Sequence, residues 1–470
     1  MKWRHFHWTV LLGLGLVAIL VIGCGGGDDL TGEAGSPAAT NTIPQPTEAQ
    51  LAAAGLDKLP VAPEDQRIDI EAPTFSNPTE ITNPLFPISD LHSAIFSGRI
   101  EGQPFHTETT LLPQTRIIEW GPGQQVETLV SQYVAYIDGR IEEVALDHYA
   151  QADDGSVWYM GEDVLDYDPD GFIDSTEGTW LAGREGPAEM IMPADPQIGD
   201  VHRAENIPGI AFEEVTIKAL DKTVDGPAGP VEGAMIAREL HDDGTHSDKV
   251  FAPGYGEFFS GHGSEIEAMA LAVPTDALDS APPTGLEKLS ASAEDLFDAS
   301  SSGNWKSAAI SKQAATHAWD AYDSGQVPPR LAKEMELALS ELAASINARD
   351  QAQAGYAAID VAQSTLDLEL RYRKPAEIDL ARFELWARQV LVDAAAADAG
   401  GVRSDVAAME WTRDRFAHTL DPADLTAIDA HLIEIRDSVA NEVDDLRAAT
   451  AATRGLRDIL AGIPSAQQTP

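Results

Sequence analysis

A single cysteine, Cys24, occurs in 470 residues. One thiol allows no internal disulfide and no multi-cysteine zinc site, and if it is consumed by modification no cysteine nucleophile remains. Basic residues are scarce as well: 31 Lys plus Arg stand against 77 Asp plus Glu, a formal net charge of −46. A surface of that sign repels phosphate backbones, which argues against nucleic acid as a partner. No apolar run reaches the roughly 20 residues a spanning helix requires. The chain also lacks a G-x-S-x-G elbow, a G-x-x-x-x-G-K loop, an H-E-x-x-H pair and, beyond residue 23, a Rossmann glycine pattern. The common motif-bearing enzyme classes therefore have no support.

What is present begins with an export signal. Lys2 and Arg4 precede an apolar stretch from Val10 to Gly23, the basic-then-apolar order of a secretory leader. Val21-Ile22-Gly23-Cys24 resembles the lipobox read by bacterial lipoprotein signal peptidase. That resemblance implies cleavage after residue 23, diacylglycerol on the Cys24 thiol and a further acyl chain on the new amino terminus, enough for stable anchoring in a membrane. Losing Lys2 and Arg4 with the leader takes the net charge from −46 to −48. Gly25 stands where an Asp would favour inner-membrane retention in Gram-negative lipoproteins. The expected location is thus exported and membrane-anchored, in the outer membrane and periplasm or at the cell surface. Residues 24–63 are rich in Gly, Ala, Thr and Pro, and read as a disordered tether.

Residues 77–275 read as an antiparallel β domain, with short alternating runs separated by Gly, Pro and Asp turns. In Arg140–Gln151, alternation puts Val144, Leu146, His148 and Ala150 on one face and Asp147, Tyr149 and Gln151 on the other. Asp154-Gly155 supplies the turn into a second strand through Val157-Trp158-Tyr159-Met160.

These residues resemble a family of bacterial envelope proteins marked by an Asp-x-Tyr-Ala-Gln strand, an acidic Gly turn and a Val-Trp-Tyr-x-Gly-Glu strand. Here the motifs are Asp147, Tyr149, Ala150, Gln151, Gly155, Val157, Trp158, Tyr159, Gly161 and Glu162. Gly178-Thr179-Trp180-Leu181-Ala182-Gly183, Met192-Pro193-Ala194-Asp195-Pro196 and Phe251-Ala252-Pro253-Gly254-Tyr255-Gly256 match further, the last being similar to a motif of half-barrel periplasmic proteins. The resemblance spans the β domain alone. It implies a curved antiparallel half-barrel of the kind that cradles lipids or lipoproteins, and carries no established activity. Phe251 departs from it where an aromatic hydroxyl is usual, and so does Val201-His202-Arg203 where a Tyr is expected. Asp147, Tyr149, Gln151 and Glu162 are candidates for a polar site on the concave face. The competing reading is that they serve neighbouring strands and loops.

Asp166, Asp168, Asp170, the Phe172 carbonyl, Asp174 and Glu177 fit the twelve-residue calcium loop position by position, with Gly171 at its sharp turn. Calcium is the one candidate cofactor. The flanking residues alternate like strands, however, and Gly178 stands where an exit helix would open, so the favoured reading of the same stretch is an acidic hairpin. His241, Asp242, Asp243, His246, Asp248 and His262 offer ligands that suit zinc, although Asp243-Gly244 is also a hairpin tip.

From residue 285 to 463 the apolar period changes to between three and four, followed by a tail at 464–470. Leu331, Met335, Leu339, Leu342 and Ile346 form one stripe, and Ile428, Leu432, Ile435, Val439 and Val443 another. Four of these five positions repeat at a shift of 97 residues, which hints at a duplicated helical unit. About six helices in an antiparallel bundle are expected, with Trp305, Trp319, Trp386 and Trp411 buried or partly so. His317 and His431 read as ordinary helix histidines.

The expected fold is thus α+β: a curved antiparallel sheet, then an all-α bundle. Three functional readings follow in order of preference. The first is a non-enzymatic lipoprotein that binds or docks an apolar ligand or a protein segment, with an envelope protein or lipid as partner. The second is a calcium-binding surface protein using the acidic loop. The third is a hydrolase using Asp147 or Glu162 with His148, ranked last because alternation sets His148 on the face opposite Asp147.

Overall fold

In the computed structural model, residues 42–322, 327–440 and 445–463 are described. Cys24, the leader, Val443 and the tail lie outside them. The architecture is α+β, as the residue pattern predicts.

The first seven strands are β1 Ser93–Ile100, β2 Gln103–Gly121, β3 Gln124–Ile137, β4 Arg140–Gln151, β5 Val157–Tyr167, β6 Ile173–Ser175 and β7 Trp180–Leu181. The second seven are β8 Glu189–Met192, β9 Val201–Ile207, β10 Ala211–Gly226, β11 Gly229–His241, β12 His246–Ala252, β13 Gly256–His262 and β14 Glu265–Val273. They form one antiparallel sheet in the order β6-β5-β4-β3-β2-β1-β14-β13-β12-β11-β10-β9, with β7 and β8 also on β5. The sheet does not close: no hydrogen-bonded ladder joins β9 to β5 or β8 among the described residues. Side chains bridge that gap instead, since Trp158, Trp180, Met190 and Met192 share one apolar core with Ala204, Ile207, Ala211 and Val215.

The N-terminal arm corrects the expected tether over its second half. Residues 42–63 carry a short helix, α1 Glu48–Ala53, closed by a reciprocal Thr47–Gln50 capping box. Ile43 and Leu56 are buried. Further along, Arg67 and Asp69 form a buried pair at 2.5 Å, and Asp69 accepts the Arg203 N–H at 2.9 Å. Arg67 also bridges in parallel to Val201. The arm thereby covers the free edge of β9, which would otherwise expose unpaired backbone groups. A few large apolar residues suffice to order a Pro- and Ala-rich segment when a sheet edge stands ready for it.

Among the described residues, eight helices follow the sheet where about six were expected: α2 Thr284–Ser301, α3 Trp305–Tyr322, α4 Pro329–Ala348, α5 Gln351–Glu369, α6 Pro375–Ala396, α7 Ala399–Phe416, α8 Pro422–Val439 and α9 Leu446–Leu460. Four of the breaks carry no proline, and two of these share one device. Arg349 and Ala397 end their helices in the left-handed conformation, and Asp350 and Asp398 immediately cap the next ones. The packing is two four-helix rings in tandem, α2-α3-α4-α5 and α6-α7-α8-α9. The Leu331 stripe lies in the first core and the Ile428 stripe in the second. The 97-residue shift thus superposes the third helix of one ring on the third helix of the next. All four named tryptophans are buried or partly so, while His317 lies at the surface and His431 is partly exposed and pairs with Glu434.

The helices cover the convex face of the sheet. Ile95 and Leu271 enter the first helical core, Val134 and Val144 pack on Ala407 and Ala408, and Tyr136 stacks on Trp386 at 5.2 Å. At the centre of this joint, Glu108 of β2 meets Arg415 of α7 and, at 3.2 Å, Arg382 of α6. Arg382 also holds Asp367 at 2.7 Å and Asp379 at 3.4 Å, and Arg415 donates to Gln132 of β3 at 2.5 Å. These ionic side chains are at most 2% exposed. Burial would raise the Glu108 pKa, but the two guanidinium charges overcome it and hold the carboxyl well below its usual range.

Arg415→Met removes one cation and leaves Glu108 and Asp379 under-neutralised in a dry interface. Urea unfolding is expected to show a loss of about 3–5 kcal/mol, and the double change Glu108→Gln with Arg415→Met should recover part of it. Equal loss in both proteins would mean that the charges are not coupled.

Candidate functional site

Directly opposed residues in an antiparallel ladder point to the same face, so the register reveals what lines the concave side. On β4 and β5, Glu143 opposes Asp166, Asp147 opposes Glu162 and Tyr149 opposes Tyr159. On β9 to β11, Glu205 opposes Glu213, which opposes His241. Lys249 of β12 opposes Ser260 of β13, which opposes Glu267 of β14. This face encloses a cavity of about 260 Å³, whose walls include Tyr133, Tyr149, Tyr159, Phe105 and Phe251 alongside Glu143, Glu162, Glu205, Glu213, Glu257, Glu267 and Lys249.

The geometry is that of a packed polar lining. Tyr159 donates to Asp147 at 2.7 Å. Its ring stacks on Tyr149 at 4.9 Å and meets Trp180 edge-on at 5.4 Å. Trp180 Nε1 donates to Glu205 at 3.3 Å. Lys249 Nζ lies 3.3 Å from Glu239 and 3.5 Å from Glu257. It is the one ammonium or guanidinium among the described residues lining the cavity.

Carboxylates so far in excess of cations, and withdrawn from water, hold protons more tightly. Burial, reinforced by Asp166, pushes Glu143 up to about 8. Burial raises Asp147 to about 6 against the opposing Tyr159 hydrogen bond, and raises Glu213 and Glu267 to about 7. Glu162 lies well above its ordinary value through burial and the charge of Glu205, to which it is hydrogen-bonded. The pair behaves as one carboxylic acid donating to one carboxylate.

Of the four residues predicted from sequence for this face, Tyr149 and Glu162 line the cavity and Asp147 sits on the same face, joined to Tyr159. Gln151 is elsewhere: its amide accepts the Thr82 and Asn83 N–H groups at 2.8 and 2.9 Å and fixes the N-terminal arm. His148 sits on the convex face at 2.7 Å from Arg116, and burial lowers its pKa to about 4. It cannot serve Asp147 as a base, which removes the hydrolase arrangement built on that pair.

The acidic loop is a hairpin. Asp168 accepts the Asp170 and Phe172 N–H groups at 2.9 Å each, and the Phe172 carbonyl accepts the Asp168 N–H at 2.8 Å. Asp166 opposes Ser175 on β6 and faces Glu143 on β4. Asp174 lies on β6, with Glu177 just beyond it. Thus Asp166, Asp168, Asp170, Phe172, Asp174 and Glu177 are spread along a ladder. Their carboxylates form no close group of three among the described residues. The hairpin tip docks on α7 instead: Arg403 donates to the Asp170 carbonyl at 2.7 Å and covers the Phe172 ring at 4.4 Å. Gly171, at φ +78°, has no room for a Cβ, which would lie 2.5 Å from the Ser404 nitrogen.

The His241 segment is likewise a tip, with Asp243 accepting from Thr245 through both N–H and hydroxyl. His262 Nδ1 lies 2.7 Å from the His246 carbonyl and Asp248 pairs with Arg238, so the proposed zinc set does not converge. His241 instead approaches Glu213 and Glu239 on the concave face. Sequence reasoning missed Glu143, Glu205, Glu213, Glu239, Glu257 and Glu267, because acidic residues at alternate positions read as solvent-facing.

No helix of the described residues is long and apolar enough to cross a membrane. No family model and no curated protein matches the chain.

A carboxyl whose pKa is higher in the folded state stabilises the fold below its unfolded value and loses that contribution as pH rises through the folded one. For Glu143 the window runs from 4.5 to about 8. Glu143→Gln fixes the neutral form. Its melting temperature should match that of the parent near pH 5 and exceed it progressively toward pH 8. A constant difference at every pH would show that Glu143 ionises normally.

Proposed function

We propose that the chain is a lipid-anchored envelope protein that binds a small molecule inside its curved sheet and does not transform it. The observation that carries the reading is the concave cavity, with its tyrosine rings and buried carboxylates. Cysteine and histidine are absent from its described lining, and the Ser260 hydroxyl on the same face has no hydrogen-bonded base beside it, so no activated nucleophile faces a bound molecule. The size suits a small ligand, below the roughly 300–1,000 Å³ of drug-sized sites.

The mixed walls modify the apolar ligand expected from sequence. Rings cover part of a guest, while carboxyl groups require polar hydrogen bonds from it. The helical rings act as the scaffold that fixes the convex side. The lipobox-like Val21–Cys24 segment and the resemblance to envelope half-barrel proteins support the anchor and the location. Calcium at the acidic loop, the second reading from sequence, loses support because Asp168 and the Phe172 carbonyl already serve the hairpin.

Native mass spectrometry of the lipoprotein purified in mild detergent addresses both halves. A covalent mass matching acylated, leader-free protein that is lost in Cys24→Ser, together with a non-covalent small-molecule adduct released on mild activation, is the expected result. Unacylated protein would contradict the anchor. Consistently bare protein, with no melting shift across a panel of small metabolites, would contradict the binding role.

A further inference from the structure

The walls of the cavity specify the sign of its guest. Lys249 is held by Glu239 and Glu257 at one side. Glu143, Glu267 and the Glu162–Glu205 pair, around the rest of the space, have no ion-pair partner among the described residues. A vacant site of this kind is neutral only to the extent that its carboxyls take up protons from water. A guest that brings its own positive charge replaces those protons and gains charge-assisted hydrogen bonds.

Two further observations narrow the class. Ser260 is 1% exposed and its hydroxyl finds no partner, although the ladder aims it at the concave face between Lys249 and Glu267. A hydroxyl there accepts an N–H from a guest. The rings of Tyr133, Tyr149 and Tyr159 lie around the same space, and aromatic rings attract organic cations. A bare metal ion fits less well. Among the described residues, the one close trio of ligands on this face is Glu213, Glu239 and His241, where Glu239 already contacts the Lys249 ammonium at 3.3 Å.

Building on the binding role proposed above, we propose that the cavity takes a small organic cation, a primary or secondary ammonium carrying an apolar group. The ammonium sits against Glu162–Glu205 and Glu267, and the apolar part lies among the tyrosine rings. Anions are rejected by the carboxylates and neutral isosteres lack the charge-assisted bonds.

Isothermal titration calorimetry of the detergent-purified lipoprotein at pH 7 tests this with benzylamine, its neutral isostere benzyl alcohol, benzoate and calcium chloride. Benzylamine is expected to bind at least about tenfold more tightly than benzyl alcohol, with benzoate not binding. Glu205→Gln and, separately, Glu267→Gln should each weaken it by about tenfold at a melting temperature showing that the protein is folded. Ser260→Ala, which keeps the charges, should weaken it less. Equal or tighter binding of benzyl alcohol or benzoate would overturn the cation assignment while leaving a binding cavity in place. Tighter calcium binding, abolished by Glu239→Gln, would overturn it in favour of a metal. Failure of all four probes would overturn the cation assignment too, and the adduct measurement would then decide the binding role separately.

Discussion

The structure depends on one buried ionic joint, Glu108 of the sheet clasped by Arg382 and Arg415 of two successive helices. Buried charges are costly unless paired and fully hydrogen-bonded, and here Asp367, Asp379 and Gln132 complete the set. An apolar interface of the same size could slide. A network of directional bonds with fixed partners on β2, β3, α5, α6 and α7 fixes the register of the helices on the convex face. The Arg403 clamp on the Asp170–Phe172 tip secures the same face at its far end.

With the convex face dry and fixed, the concave face becomes a second interior. Its curvature is maintained by the covered convex side, by the arm bridged to β9 and by the core that spans the sheet's two ends. The two interiors treat carboxyl groups in opposite ways. Glu108, beside two guanidinium groups, stays ionised deep in the protein. Glu162 and Glu143, with carboxylates for neighbours, hold their protons. The first arrangement gives the joint its specificity and the second leaves a polar space whose charge balance a guest can alter.

Much of this fold was legible in the sequence. Alternation in Arg140–Gln151 suffices to put Tyr149 and Asp147 opposite His148, and Asp154-Gly155 marks its hairpin, with Gly155 at φ +95°. The Leu331 and Ile428 stripes locate both helical cores. The remainder was hidden for physical reasons. Period two identifies the two faces of a strand but cannot say which is solvated when helices cover one and curvature encloses the other. Glu205, Glu213 and Glu267 therefore read as surface. Arg415 lies 307 positions from Glu108, and an arginine on an amphipathic helix carries no mark of burial. The calcium-like spacing of Asp166 to Glu177 arose because a tight acidic hairpin and a calcium loop both want Asp at alternate positions and Gly at the turn.

Infrared difference spectroscopy on the vacant protein reports carboxyl protonation most directly. At pH 7 the carbonyl-stretch band of protonated carboxylic acids should be present, shrink in Glu162→Gln and Glu143→Gln, and fade as pH is raised toward 9. A spectrum at pH 7 with ionised carboxylates alone would contradict a closely packed, cation-poor interior, and with it the claim that the curved sheet encloses a binding site.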